Sequence, residues 1–125
     1  MADRRRPISP HLQVYRLPIT GLLSISHRVT GVALSFAIIA VVYIFASIAL
    51  GEKSYLLLQD QVNGLIGSFF YSVMVYALLF HLCHGVRHLI WDIGKGFDRN
   101  RLTKFSVIEI SASLLLTLVW LMISF

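Results

Sequence analysis

Long uncharged tracts alternate with short charged segments along this chain. Val29 to Leu50 reads VTGVALSFAIIAVVYIFASIAL, without one charged residue. A second tract lies between Asp60 and Arg87, with its apolar part near Leu65 to Val86. A third follows Lys104 and runs to Phe125, interrupted only by Glu109. A bilayer core takes roughly 20 apolar residues per helix, so each tract is long enough to span it. The pattern predicts an all-α membrane protein with three transmembrane helices, over about 22–50, 64–91 and 104–125. Residues 1–20 form an N-terminal arm, and one membrane-anchor domain covers the whole chain, with no soluble domain and no internal repeat.

The two connections differ in character. GEKSYLLLQDQVNG, between the first two helices, has an amphipathic middle. DIGKGFDRNRLTK, between the second and third, carries glycines suited to ending a helix. Trp91 belongs at that boundary, where aromatic rings favour the membrane interface. The arm holds all three prolines, Pro7, Pro10 and Pro18. Proline lacks an amide hydrogen and disfavours helix in the residue before it, so an extended or turned arm is expected. Leu12, Val14, Tyr15 and Leu17 give the arm an apolar side to pack on a neighbour; a basic tail held near anionic lipid is the plainer reading.

Composition reinforces the membrane reading. The chain is 57% hydrophobic and 14% charged, against about 45–50% and about 25% in a soluble domain. The net charge of +5 invites a nucleic-acid partner, but its distribution argues for no nucleic acid. Arg4, Arg5, Arg6, Arg16 and Arg28 precede or open the first span, and Arg87, Lys95, Arg99, Arg101 and Lys104 flank the second connection. Only Lys53 lies in the first connection, so ten of the eleven basic residues fall on one side. By the positive-inside rule, the N-terminus and second connection face the cytoplasm or mitochondrial matrix. No apolar run precedes Val29, so the arm does not read as a cleavable secretory signal, and its shortness favours a bacterial or already mature chain. The single Cys83 cannot form an intrachain disulfide and is expected to be a buried, inert thiol.

The candidate chemistry lies in FHLCHGVRHLIWDIG, Phe80 to Gly94. At about 100° per residue, His84 lies about 60° and His88 about 20° from His81, with Cys83 on nearly the opposite side. Strongly polar groups inside a membrane face protein, cofactor or water, so the stripe should face the bundle interior. His81 is the deepest, on the order of 15 Å from the inner end of its helix at about 1.5 Å per residue. A deep imidazole needs partners for its nitrogens. One reading is a helix–helix hydrogen bond; a sharper one is ligation of haem iron, for which histidine is a common ligand. Zinc is disfavoured, because no Cys or carboxylate joins the stripe at tetrahedral ligand spacing. His81 and His88 project the same way and cannot clasp one iron from opposite faces. His11 and His27 sit on the inner side, far in expected depth from His81, and the third helix has no histidine. A six-coordinate haem at His81 therefore calls for a second ligand from another chain.

Ser24–Gly31, SISHRVTG, adds a second polar end. Ser24 and Arg28, four residues apart, share a helical face, while His27 projects differently. Arg28 reads either as a snorkelling, positive-inside residue, as a partner with His27 for haem propionates, or as a donor with Ser24 to a quinone carbonyl.

Three segments, RPISPHLQVYR (Arg6 to Arg16), SISHRVTG and HLCHGVRHLIWDIGKG (His81 to Gly96), together with length and charge sidedness, resemble the larger cytochrome b membrane-anchor subunits of succinate dehydrogenase, respiratory complex II. The likeness covers essentially the whole chain. It implies His81 as the axial ligand and metal-binding residue of one haem b, shared with a smaller anchor subunit that supplies the other ligand. His84 is not required by the family pattern and stays an alternative ligand. The resemblance places ubiquinone at Ser24 and Arg28 beside an iron–sulfur subunit, and His27 and Arg28 near the haem propionates. His88 and Asp92 are carried over as haem-edge or proton-path residues, although Asp92 also reads as a helix-end partner of Arg87 or Lys95. The implied assembly adds a flavoprotein subunit, sits in a bacterial or mitochondrial inner membrane, and transfers electrons of the tricarboxylic acid cycle from succinate to quinone. The chain has no dinucleotide fingerprint and no cysteine set for an iron–sulfur cluster, so succinate oxidation belongs to partners and no catalytic residue is expected here. A fumarate reductase anchor, a haem-free structural anchor and, more distantly, a small channel or transporter are the alternatives.

Overall fold

A computed structural model describes residues 15–124. The arm up to Val14, with His11 and Arg4–Arg6, lies outside the described residues, as does Phe125. Four helices follow in order: α1 Ile19–Ala49, α2 Glu52–Asn63, α3 Leu65–Asp92 and α4 Arg99–Ser124. Three of them, α1, α3 and α4, are long and apolar enough to cross a membrane. At about 1.5 Å per residue, α1 is roughly 46 Å long, exceeding the roughly 30 Å hydrocarbon core. Its polar first turns therefore extend beyond the apolar tract.

Helix α1 begins just after Pro18, whose carbonyl accepts from Gly21 N at 2.9 Å and Leu22 N at 3.1 Å. Proline suits this position because its missing N–H is one that a helix start leaves unpaired. The 12-residue α2 occupies what the hydrophobic pattern reads as a connection. Its Leu58 is buried while Glu52, Lys53, Gln59 and Asp60 are exposed. The amphipathic middle is thus a short helix folded against α1 and α3. At the other end, α3 stops where Gly94 takes φ +75°, a left-handed conformation that glycine adopts without a Cβ clash. Gly94 N bonds Trp91 O at 2.8 Å and Lys95 N bonds Ile90 O at 3.2 Å, closing the last turn.

Helix α3 is central, packing on both α1 and α4, which also touch each other. The interior is more polar than the exterior. Ser47, His84, Arg87, Ser106, Glu109, Ser113 and Thr117 are buried, whereas Phe36, Ile39, Phe45, Leu65, Phe69 and Met122 are exposed. Lipid offers no hydrophobic drive to hide leucine, so small and polar residues gather where helices meet. On α4, Ser106, Glu109, Ser113 and Thr117 recur at helical spacing on one inward stripe. Ser106, Ser113 and Thr117 donate their hydroxyls to Leu102 O, Ile110 O and Ser113 O at 2.7–2.9 Å. Their polar atoms are therefore satisfied within α4, and the small side chains leave room for α3.

Candidate functional site

Four histidines converge between α1 and α3. His27 stacks on His81 with ring centroids 3.9 Å apart, and lies 4.5 Å from His84 and 5.5 Å from His88. The depth separation expected between His27 and His81 is overturned. Helix α1 starts at Ile19, so His27 stands more than two turns inside it, and α1 and α3 run past each other at that level. His27 thereby faces the same space as the stripe.

His81 has a defined tautomer. Its Nδ1 lies 3.2 Å from the His27 carbonyl and 3.3 Å from Thr30 Oγ1. Thr30 donates its own proton to the His27 carbonyl at 2.9 Å. A carbonyl only accepts, so Nδ1 carries the proton and Nε2 keeps its lone pair. Gly31 makes the approach of His81 possible: a Cβ there would stand 3.1 Å from His81 Cε1. Thr30 and Gly31 therefore seat the ring, a role that residue-type reasoning missed because neither carries distinctive chemistry.

His84 is engaged elsewhere. It is 1% exposed and donates from Nδ1 to Glu109 Oε1 at 2.6 Å. Glu109 Oε2 accepts from Arg87 Nη1 at 3.1 Å. Arg87 also donates to Ser106 Oγ at 2.9 Å and Leu102 O at 3.1 Å, and its guanidinium lies 4.7 Å from the Trp91 ring centre. Arg87 is only 4% exposed, so it is no interfacial flanking charge. It neutralises Glu109, the one charge interrupting the third apolar tract. Glu109 was legible only as an interruption; the usable signal is that an intramembrane carboxylate requires a partner.

Asp92, the last residue of α3, is exposed and makes neither the Arg87 nor the Lys95 ion pair among the described residues, because Arg87 turns inward to Glu109. His88 is exposed and packs edge-on against His84 and Trp91. Ser24 is half-buried and Arg28 exposed, one helical turn apart on α1. Cys83 is half-buried rather than buried. It lines an apolar groove of about 340 Å³ on the side of α3 away from the histidines, with Leu82, Val86, Phe105 and Leu116.

Two imidazole nitrogens in the cluster, His27 Nε2 and His84 Nε2, are buried without a hydrogen-bond partner among the described residues. Buried polar atoms are rarely left so, and the exceptions mark ligand or catalytic positions. The arrangement supplies ring nitrogens, an outer cation at Arg28 and hydroxyls at Ser24 and Thr30. Such a set suits metal or cofactor binding more than covalent catalysis.

Comparison with known proteins agrees. Residues 2–120 match the model of the succinate dehydrogenase/fumarate reductase transmembrane subunit family. A succinate dehydrogenase cytochrome b556 subunit of Rickettsia felis is 39% identical over 117 residues, covering 93% of this chain and 91% of that protein. The cytochrome b556 subunit of Paracoccus denitrificans is 33% identical, covering 96% and 92%. The cytochrome b560 subunit of Reclinomonas americana is 34% identical, covering 91% and 83%. With a match that spans nearly its full length, this chain belongs to the succinate dehydrogenase/fumarate reductase transmembrane subunit family.

Proposed function

We propose that the chain is the membrane-anchoring cytochrome b subunit of a succinate:ubiquinone oxidoreductase, and that it holds one haem b jointly with a second small anchor subunit. The observation that carries this reading is His81, whose Nδ1 lies 3.2 Å from the His27 carbonyl, which leaves Nε2 as the ring nitrogen to offer a metal. A ring whose other nitrogen donates to a backbone carbonyl is the usual form of a metal-ligating histidine. The residues fit the group: His81 Nε2 would hold the iron, and His27 and Arg28 would face the propionates. Haem b, when bound, supplies a reversible one-electron carrier. The partner subunit would supply the other ligand to the iron. His84 stays the alternative ligand, at a position where the family pattern does not require a histidine.

Ubiquinone binds at Ser24 and Arg28, at the basic end of the bundle. Both carry donors for a quinone oxygen, and the Arg28 cation would stabilise the negative charge that develops there on reduction. Electrons arrive from an iron–sulfur subunit docked at this end, which receives them from a flavoprotein subunit. The basic residues put this end, with the N-terminus, on the cytoplasmic or matrix side of an inner membrane. His88 and Asp92 are exposed there and would pass protons from the aqueous side toward the quinone.

Arg28→Leu tests the quinone role. Charge-assisted hydrogen bonds contribute about 1.5–3 kcal/mol, so quinone reduction should fall roughly 10–100-fold, while succinate oxidation by a soluble artificial acceptor stays near wild type. Equal loss of both activities would show that Arg28 serves assembly instead.

A further inference from the structure

We propose that the groove between α3 and α4 holds one anionic glycerophospholipid from the leaflet at the basic end, with an acyl chain along the groove and an ester carbonyl accepting from Arg87 Nε. The groove encloses about 340 Å³. Leu82, Val86 and Ile90 line it from α3, and Phe105, Ile108 and Leu116 from α4. Val86, Ile108 and Leu116 are exposed, so the groove opens sideways onto the bilayer. Its lining offers an acyl chain the same apolar contacts as neighbouring lipid, and adds one fixed donor.

That donor points to a ligand. Arg87 lines the groove and is 4% exposed. Its Nη1 and Nη2 are committed to Glu109, Ser106 and Leu102. Its Nε is buried and has no partner among the described residues. A guanidinium N–H stripped of water calls for an acceptor. Glu109 lines the groove too, so a neutral ester carbonyl suits this level better than a phosphate. Depth gives the same answer. At about 1.5 Å per residue, the 28 residues of α3 span roughly 42 Å, close to the about 40–45 Å of a whole bilayer. Arg87 stands five residues before the end of α3 at Asp92, roughly 7.5 Å in. That is the boundary between headgroups and hydrocarbon, where the glycerol esters lie. Charge then selects the headgroup. Lys104 and Arg101 are exposed and precede Ile108 by four and seven residues, so they share its face of α4. Arg101 pairs with Asp98 at 3.1 Å, which leaves Lys104 with most of the attraction. Basic residues beside clefts between membrane helices recruit anionic headgroups. A quinone carries no charge for these cations to hold.

The test uses the whole membrane complex in phosphatidylcholine nanodiscs. Phosphatidylglycerol with a diazirine in its acyl chain is photolysed there, and the adducts are mapped by peptide mass spectrometry. Labelling should concentrate in residues 82–90 and 105–116, and unlabelled phosphatidylglycerol should displace it where added phosphatidylcholine does not. Ala112→Trp, which fills the groove, should abolish this labelling. Lys104→Gln, at an exposed position that folding tolerates, should lower the preference for phosphatidylglycerol roughly fivefold. It keeps the test decisive if Ala112→Trp fails to assemble. Haem content, read from the Soret band, checks assembly and should not change in Lys104→Gln. Three results would each overturn the proposal. No labelling in these segments would show that protein covers the groove. Displacement by decylubiquinone but not by phosphatidylglycerol would show a quinone there. Equal labelling by a diazirine phosphatidylcholine, unaltered in Lys104→Gln, would show bulk lipid only.

Discussion

The two faces of α3 hold their neighbours by opposite means. Toward α4, charged groups meet: Glu109 accepts from both His84 and Arg87, and Arg87 also reaches Ser106 and Leu102, while its Nε is buried and unpartnered among the described residues. Toward α1, rings stack and a nitrogen is left over: His27 lies flat on His81 at 3.9 Å, with its Nε2 unpartnered among the described residues. A membrane interior penalises every polar group without a partner. The α3–α4 face therefore reads as a clamp built on the Glu109 ion pairs. The α1–α3 face has spare valence, which supports the binding role proposed for it. His84 joins the two, with one nitrogen in the clamp and the other facing the site.

Changes on the clamp should be the most damaging. Glu109→Leu leaves Arg87 as a buried, uncompensated cation, and removal of one partner from a buried pair costs about 3–5 kcal/mol. Thermal unfolding of the detergent-solubilised complex should fall accordingly, and Glu109→Gln, which keeps an acceptor, should fall less. A melting curve unchanged in Glu109→Leu would show that the pair does not hold α3 to α4. On the binding face, Gly31→Ala puts a methyl 3.1 Å from His81 Cε1, and overpacking of this sort costs about 1–3 kcal/mol. His81 should be displaced, so haem content should drop more than stability does; parallel loss of both would assign Gly31 to packing alone. The smallest effect is expected far from both. Trp120 Nε1 donates to Tyr71 Oη at 2.7 Å on the exposed side of the opposite end. Trp120→Phe should cost about 0.5–1.5 kcal/mol and leave the spectrum and both activities unchanged.

These differences also mark what the amino-acid order discloses. Uncharged tracts of spanning length identify α1, α3 and α4, because the bilayer imposes that length on any helix crossing it. The 100° periodicity puts His81, His84 and His88 on one stripe without reference to any other element. Relations between helices are less legible. The position of His27 beside His81 depends on where α1 begins, and Pro18 marks that start only once its carbonyl is seen to accept from Gly21 and Leu22. Arg87 and Glu109 lie on different helices and look like a flanking charge and an interruption until packing joins them. The segment of α2 shows its amphipathic character in the sequence, but its few apolar residues do not distinguish a short helix lying on α1 and α3 from a loop.

The central claim is that His81, and not its buried neighbour His84, holds the haem iron. Its most direct test is the reduced-minus-oxidised visible spectrum of the purified membrane complex in wild type, His81→Ala and His84→Gln. The account predicts a cytochrome b spectrum in wild type, retained in His84→Gln and lost in His81→Ala with the complex still assembled. A spectrum that survives His81→Ala, or disappears only in His84→Gln, would contradict it.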